Sequence, residues 1–232
     1  MPMPGIKTST SWVLTLLLVI STLPAWGAGK GKDEETIKHA TMVLQAMLDS
    51  KAVPNSLLVI ADCIIVLPGV KKFAVGVGGT GGRGSMTCRD GEKFTGSKWS
   101  APAIFAISGA SAGLQVGGSS SDFVLLVMAP AAVDKVLKGK TKVGSDLTAA
   151  AGPSGATTAS SVRGTDIVTY GRAKGLFAGV SLNGASLEPD SDANQRLYEK
   201  TVSARDIVVD NAVKATPAGQ SLVSLLESKD WQ

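Results

Sequence analysis

The 232-residue chain has a single histidine and only two cysteines. One histidine, His39, excludes a His-Glu-x-x-His site and any histidine-rich metal cluster, since each needs two or more imidazoles on one ion. No Gly-x-Ser-x-Gly elbow is present, and His39 would have to be the base of any conventional triad. Its place beside Lys38 on an early amphipathic stretch marks it instead as a surface residue. The acids Asp122, Asp146, Asp166, Asp190 and Asp192 are scattered, with no spacing that forces two together as general acid and base. Charge of one sign is scarce as well: the formal net charge is +4, with both signs interspersed. That excess is too mild to imply nucleic acid. The chain is therefore expected to be no enzyme, with no metal, no cofactor and no nucleic-acid partner.

Long hydrophobic runs are nearly absent too. The one exception, Trp12 to Ile20, follows a start whose only charged side chain is Lys7 and precedes Pro24-Ala25-Trp26-Gly27. This is the order of a secretory signal peptide. At nine residues the run is too short to cross a bilayer, which takes about 20. Residues 1–27 are expected to be removed before Ala28, leaving residues 28–232 as one domain, periplasmic or secreted. Loss of Lys7 takes the net charge from +4 to +3.

Glycine, in contrast, is plentiful, with 27 residues, six of them between Gly76 and Gly84. Gly76, Gly78 and Gly81 match G-x-G-x-x-G formally, but the segment after them, Ser85 to Cys88, reads as strand followed by a turn at Arg89-Asp90-Gly91 and opens no helix. Gly79 to Gly84 has the spacing of a phosphate-binding loop, yet Ser85 stands where the lysine belongs. The run reads instead as glycine-rich strand that bends beside a close backbone neighbour.

Apolar residues at three- and four-residue steps (Ile37, Ala40, Val43, Leu44, Met47, Leu48) predict a helix over 33–50. Asn55-Ser56 can cap a short helix through Ala61, with a strand over 57–66 as the alternative. Short apolar segments broken by glycine predict strands at 103–107, 112–116, 123–128, 162–170 and 176–182. Helices are predicted at 130–137, 192–198, 203–213 and 217–227, the last capped by Thr216. Residues 149–161 read as an in-domain loop or small-residue strands. The fold class is α+β: an antiparallel β-rich core, barrel-like or a sandwich, with flanking N- and C-terminal helices.

In an oxidising compartment Cys63 and Cys88 can form a disulfide closing a 26-residue loop around the glycine run. Such a bond adds about 3–4 kcal/mol. Two buried thiols are the alternative.

Trp99-Ser100-Ala101-Pro102-Ala103, Gly113 to Gly118, Ser121 to Met128, and Gly171-Arg172-Ala173-Lys174-Gly175-Leu176-Phe177 through Ala185 resemble the blocks of the SYLF lipid-binding family. The similarity runs from about Ser56 to Tyr198, in order and in spacing. Gly171 stands where that family more often has serine. The resemblance implies a β-rich core with flanking helices, association with phosphoinositides or other anionic lipids, actin binding in some eukaryotic members, and no catalysis. Export makes cytosolic actin an unlikely partner. An anionic phospholipid or membrane surface is the expected one, with an envelope protein as the alternative. Candidate lipid-contacting residues are Lys71, Lys72, Arg83, Arg89, Lys93 and Lys98 around the glycine run, with Phe94 and Trp99 interleaved, and a second set at Arg172 and Lys174 beside Phe177. The competing reading makes the cations ordinary solvent-facing hairpin ends and Trp99 a core residue.

Overall fold

A computed structural model describes residues 26–152, 162–173, 176–177 and 182–228. The expected signal peptide up to residue 25, Lys174 and most of the block from Gly175 to Ser181 lie outside the described residues.

Two long strands dominate: β1 (Cys63–Cys88) and β2 (Ala103–Val127), paired antiparallel from Cys63↔Val127 to Met86↔Ala103. The sequence suggested several short strands here, because glycines interrupt the apolar runs; the strands instead continue through them. The reason lies in how β1 is folded. A Cβ on Gly84 would meet the Val66 carbonyl oxygen at 1.9 Å, one on Gly82 would meet Val70 at 3.1 Å, and one on Gly79 would meet the Phe73 ring at 2.5 Å. Cys63 and Cys88, at opposite ends of the strand, have Cα atoms 3.9 Å apart and are disulfide-bonded. All these pairs are symmetric about residues 75–76, so β1 doubles back there and its two arms lie side by side. Glycine on the second arm removes the Cβ atoms that would hold the arms apart.

β2 wraps outside this doubled strand. Its first arm pairs with β7 (Ser186–Pro189), which pairs with β3 (Thr141–Lys142); its second arm pairs with β5 (Ile167–Ala173). β5 carries β4 (Ala149–Ala151) in parallel and β6 (Leu176–Phe177) antiparallel. With both arms of β1 and of β2 counted, eight strand segments run from β3 to β4 in one curled, half-barrel sheet. It is antiparallel except at β4–β5, and it is the barrel-like member of the two expected shapes. β5 begins at Ile167, later than predicted, because Val162–Asp166 is a turn in which Asp166 Oδ2 accepts from the Thr148 backbone N–H at 2.9 Å.

Alternation along the strands builds two cores, one on each face. Ile64, Val66, Ile104, Val124, Leu126 and Val168 lie under α1 (Trp26–Asp49), α2 (Asn55–Leu58), α4 (Ser191–Tyr198) and α6 (Pro217–Glu227). Ile65, Leu67, Phe105, Phe123 and Leu125 lie under α3 (Pro130–Leu137) and α5 (Ala204–Val208). The predicted stripe of α1, from Ile37 to Leu48, is the buried one. Pro130 starts α3, and Gly139, at φ +135°, follows its end. Thr216 caps α6 by accepting from the Gly219 N–H. α5 stops five residues before the predicted end, and its start is fixed by a reciprocal Ser203–Asp206 capping box.

Candidate docking surface

On the face that α1 covers, the sheet extends past the helix toward the turn of β1. Pro68 and Gly69 form a bulge between Leu67 and Val70, with Gly69 at φ +58°. The Gly69 N–H donates to Asp122 Oδ1 at 2.9 Å, and Arg172 Nη2 donates to Asp122 Oδ2 at 2.8 Å. Lys71 is exposed, and beyond it Phe73 is 62% exposed, the most exposed large apolar side chain among the described residues. Lys72 points to the other face, 5.9 Å from the Phe123 ring centroid, where partial burial lowers its pKa.

Between α1 and this arm lies a recess of about 370 Å³, lined by Thr36, His39, Pro68, Gly69, Lys71, Gly81, Gly82 and Arg83. A Cβ on Gly81 would meet nothing within 4 Å, so the recess is open at that point. His39 is half-exposed and lies 3.1 Å from Glu35. Arg83 is committed: its Nη2 lies 2.8 Å from Asp33 Oδ1 and 2.9 Å from Asp190 Oδ2, while its Nε is buried without a partner. Asp33 is fully buried and also holds Arg196 at 3.2 Å. This charge network ties α1 to β1 and α4. Sequence reading missed it, because a lone aspartate at the predicted start of a helix signals only a favourable dipole.

The cations adjacent in sequence are not adjacent in space. Lys71 and Lys72 lie near the turn of β1, opposite Gly81, whereas Arg89, Lys93 and Lys98 belong to the connection beyond the disulfide. About eight residues of strand, roughly 26 Å, separate the two groups. At the disulfide end Trp99 is 6% exposed and part of the core. Its backbone N–H donates to Glu227 Oε1, and the Arg89 guanidinium stacks 4.5 Å above its ring. Its ring is therefore packed inside rather than offered to a surface. Arg89 itself donates to the carbonyls of Leu58, Ala61 and Gly96. Lys93 and Lys98 are exposed. Cys63 and Cys88 are bonded and fully buried. No group of three or more metal-ligating side chains occurs among the described residues, and none of their helices is long and apolar enough to cross a membrane.

Residues 108–229 match the family model described as Ysc84, Las17-binding protein actin regulator. Protein YSC84 of Saccharomyces cerevisiae is 34% identical over 56% of this chain and 29% of its own length. The human SH3 domain-containing YSC84-like protein 1 is 28% identical over 85% of this chain and 57% of its own. An SH3 domain-containing protein of Schizosaccharomyces pombe is 31% identical over 83% and 46%. The chain thus spans less than two thirds of the length of these relatives. The family's description refers to binding and regulation, not to a reaction. The expectation that actin is an unlikely partner does not stand, because the matching family is itself described as an actin regulator. The chain belongs to the Ysc84 family, the SYLF family that its Trp99–Met128 and Gly171–Ala185 blocks resemble.

Proposed function

We propose that this chain is a non-enzymatic binding module, exported to the cell envelope, that docks reversibly on an anionic phospholipid surface through the glycine-rich end of β1. The observation carrying this reading is Phe73, exposed on the same face as Lys71 where the sheet outruns its helical cover. A ring and a cation on one face pair an apolar contact with attraction to an anionic headgroup. Burying about 100 Å² of that ring contributes ~2.5 kcal/mol. Lys71, on the same face, adds about 1 kcal/mol near anionic headgroups. Together these correspond to a dissociation constant on the order of 3 mM per contact, which suits docking and not permanent anchoring. The apolar Trp12–Ile20 run is the basis for export.

Vesicle co-sedimentation across a salt series tests the reading. Lys71→Gln is expected to weaken binding and flatten its salt dependence, Lys72→Gln to change little, and Phe73→Ser to weaken binding at every salt concentration. Lys93→Gln/Lys98→Gln is expected to change little. Failure of the parent protein to sediment with vesicles of any anionic content would refute the proposal. A second reading, a protein-binding module, is favoured by the description of the family as Las17-binding and actin-regulating. Co-sedimentation with filamentous actin in the absence of lipid distinguishes it.

A further inference from the structure

We infer that the disulfide end of the sheet carries a second, separate site: a cavity for a zwitterionic amphiphile whose N–H-bearing cation faces Asp62 and whose anionic group faces Arg89. The cavity measures about 510 Å³, within the usual range for small-molecule sites. Val59 and Ile60, 47% and 44% exposed, form its apolar rim together with Phe94.

Two opposite charges line the cavity without satisfying one another. No hydrogen bond reaches the Asp62 carboxylate among the described residues, and its Oδ2 is shut off from solvent. Burial pushes its pKa up to about 6 even though Arg89 pulls it down. Such a carboxylate lacks the donors that normally offset desolvation. Arg89 is held fast by three backbone carbonyls and the Trp99 ring. Of its five N–H groups, three are used and two remain for a ligand. A simple anion would meet the Asp62 charge, a simple cation would meet Arg89, and a purely apolar molecule would leave both groups unpaired. A ligand carrying both signs close together, on an apolar body long enough to lie against Val59 and Ile60, complements every part of the wall. An N–H on the cation is required, because Asp62 can only accept. A primary ammonium satisfies this and a quaternary one does not. The chemistry is that of a phosphoethanolamine group, carried either by a bilayer lipid or by a free amphiphile. This site lies at the far end of β1 from the docking surface proposed above and does not depend on it.

Dihexanoyl phosphatidylethanolamine and dihexanoyl phosphatidylcholine, titrated below their micelle thresholds while the backbone amide signals of Ile60 and Gly96 are followed, test the inference. The ethanolamine compound is expected to bind at least tenfold more tightly and to shift those signals. Asp62→Asn should abolish the preference without lowering the melting temperature, since an unpartnered charge is being removed. Ile60→Ser should weaken both compounds, and Lys71→Gln/Lys72→Gln neither. Neutral vesicles with and without phosphatidylethanolamine then assign the source. Retention on them marks a bilayer headgroup, and binding of the short-chain compound alone marks a soluble amphiphile. Equal affinity for the two short-chain compounds, a preference that survives Asp62→Asn, or shifts confined to residues near Phe73 would overturn the inference.

Discussion

Gly84→Ala and Gly81→Ala, two chemically identical changes three residues apart on one strand, should move stability in opposite directions. A methyl on Gly84 would sit 1.9 Å from the Val66 carbonyl oxygen and 2.8 Å from both Leu67 Cα and Val66 C. All three are backbone atoms of the facing arm, so no side chain can rotate away and the arms themselves must part. Overpacking of this kind costs about 1–3 kcal/mol where side chains can yield, and the rigid neighbours here place Gly84→Ala at about 3 or above. Gly81, by contrast, faces open space and has no left-handed φ. Alanine there restricts the unfolded chain without a clash and should stabilise by about 0.4–1 kcal/mol. For a protein of this size, 1 kcal/mol corresponds to roughly 2–4 °C in melting temperature. Calorimetry should therefore show Gly84→Ala lower by about 6–12 °C and Gly81→Ala higher by about 1–4 °C. Equal shifts for the two variants would show that β1 does not double back with its arms in contact.

Three further outcomes follow from buried groups. Replacing both Cys63 and Cys88 by alanine should lower stability by about 3–4 kcal/mol in urea titrations. The bond should resist reductant until the protein unfolds, since both residues are fully buried. Between pH 4 and 6 the folded protein holds the Asp62 proton more tightly than the unfolded chain does, because the folded pKa of about 6 lies above the ordinary 3.8. Stability should then be greatest below pH 4 for this group and decline by at most about 3 kcal/mol as pH rises through 6, a dependence that Asp62→Asn removes. Asp33→Ala leaves Arg83 and Arg196 without their shared carboxylate and should cost about 3 kcal/mol, the low end for a buried pair since both guanidiniums keep some solvent. Equilibrium unfolding measures it, and a loss under 1 kcal/mol would show that α1 is held by its apolar stripe alone.

The parts of the fold readable from sequence were those with local causes. The stripe of α1, proline at the first turn of α3 and the Thr216 cap of α6 each act within a few residues, so the pattern and the structure agree. The glycine run was legible as strand close to another backbone, and the close partner is the other arm of the same strand. Long-range facts were not legible. Whether glycine ends a strand or lets it pass depends on what lies opposite, and residues 103–127 read as several segments for want of that knowledge. The cations failed in the same way: Lys71 and Lys98 are 27 positions apart in sequence and belong to opposite ends of the doubled strand. Asn194, which accepts from the Ile104 N–H at 2.7 Å and donates back to its carbonyl at 3.1 Å, gave no signal at all. Trp99 shows the limit of residue type as evidence, because an indole flanked by cations suits an interface and a stacked core position equally well.

Hydrogen exchange on the protein, with and without anionic vesicles, tests the proposed docking surface most directly. Protection should rise in peptides covering residues 69–83 and the facing part of β2 at 108–120, and stay unchanged at 89–99. Unchanged exchange throughout, or protection confined to 89–99, would contradict docking through the glycine-rich end of β1.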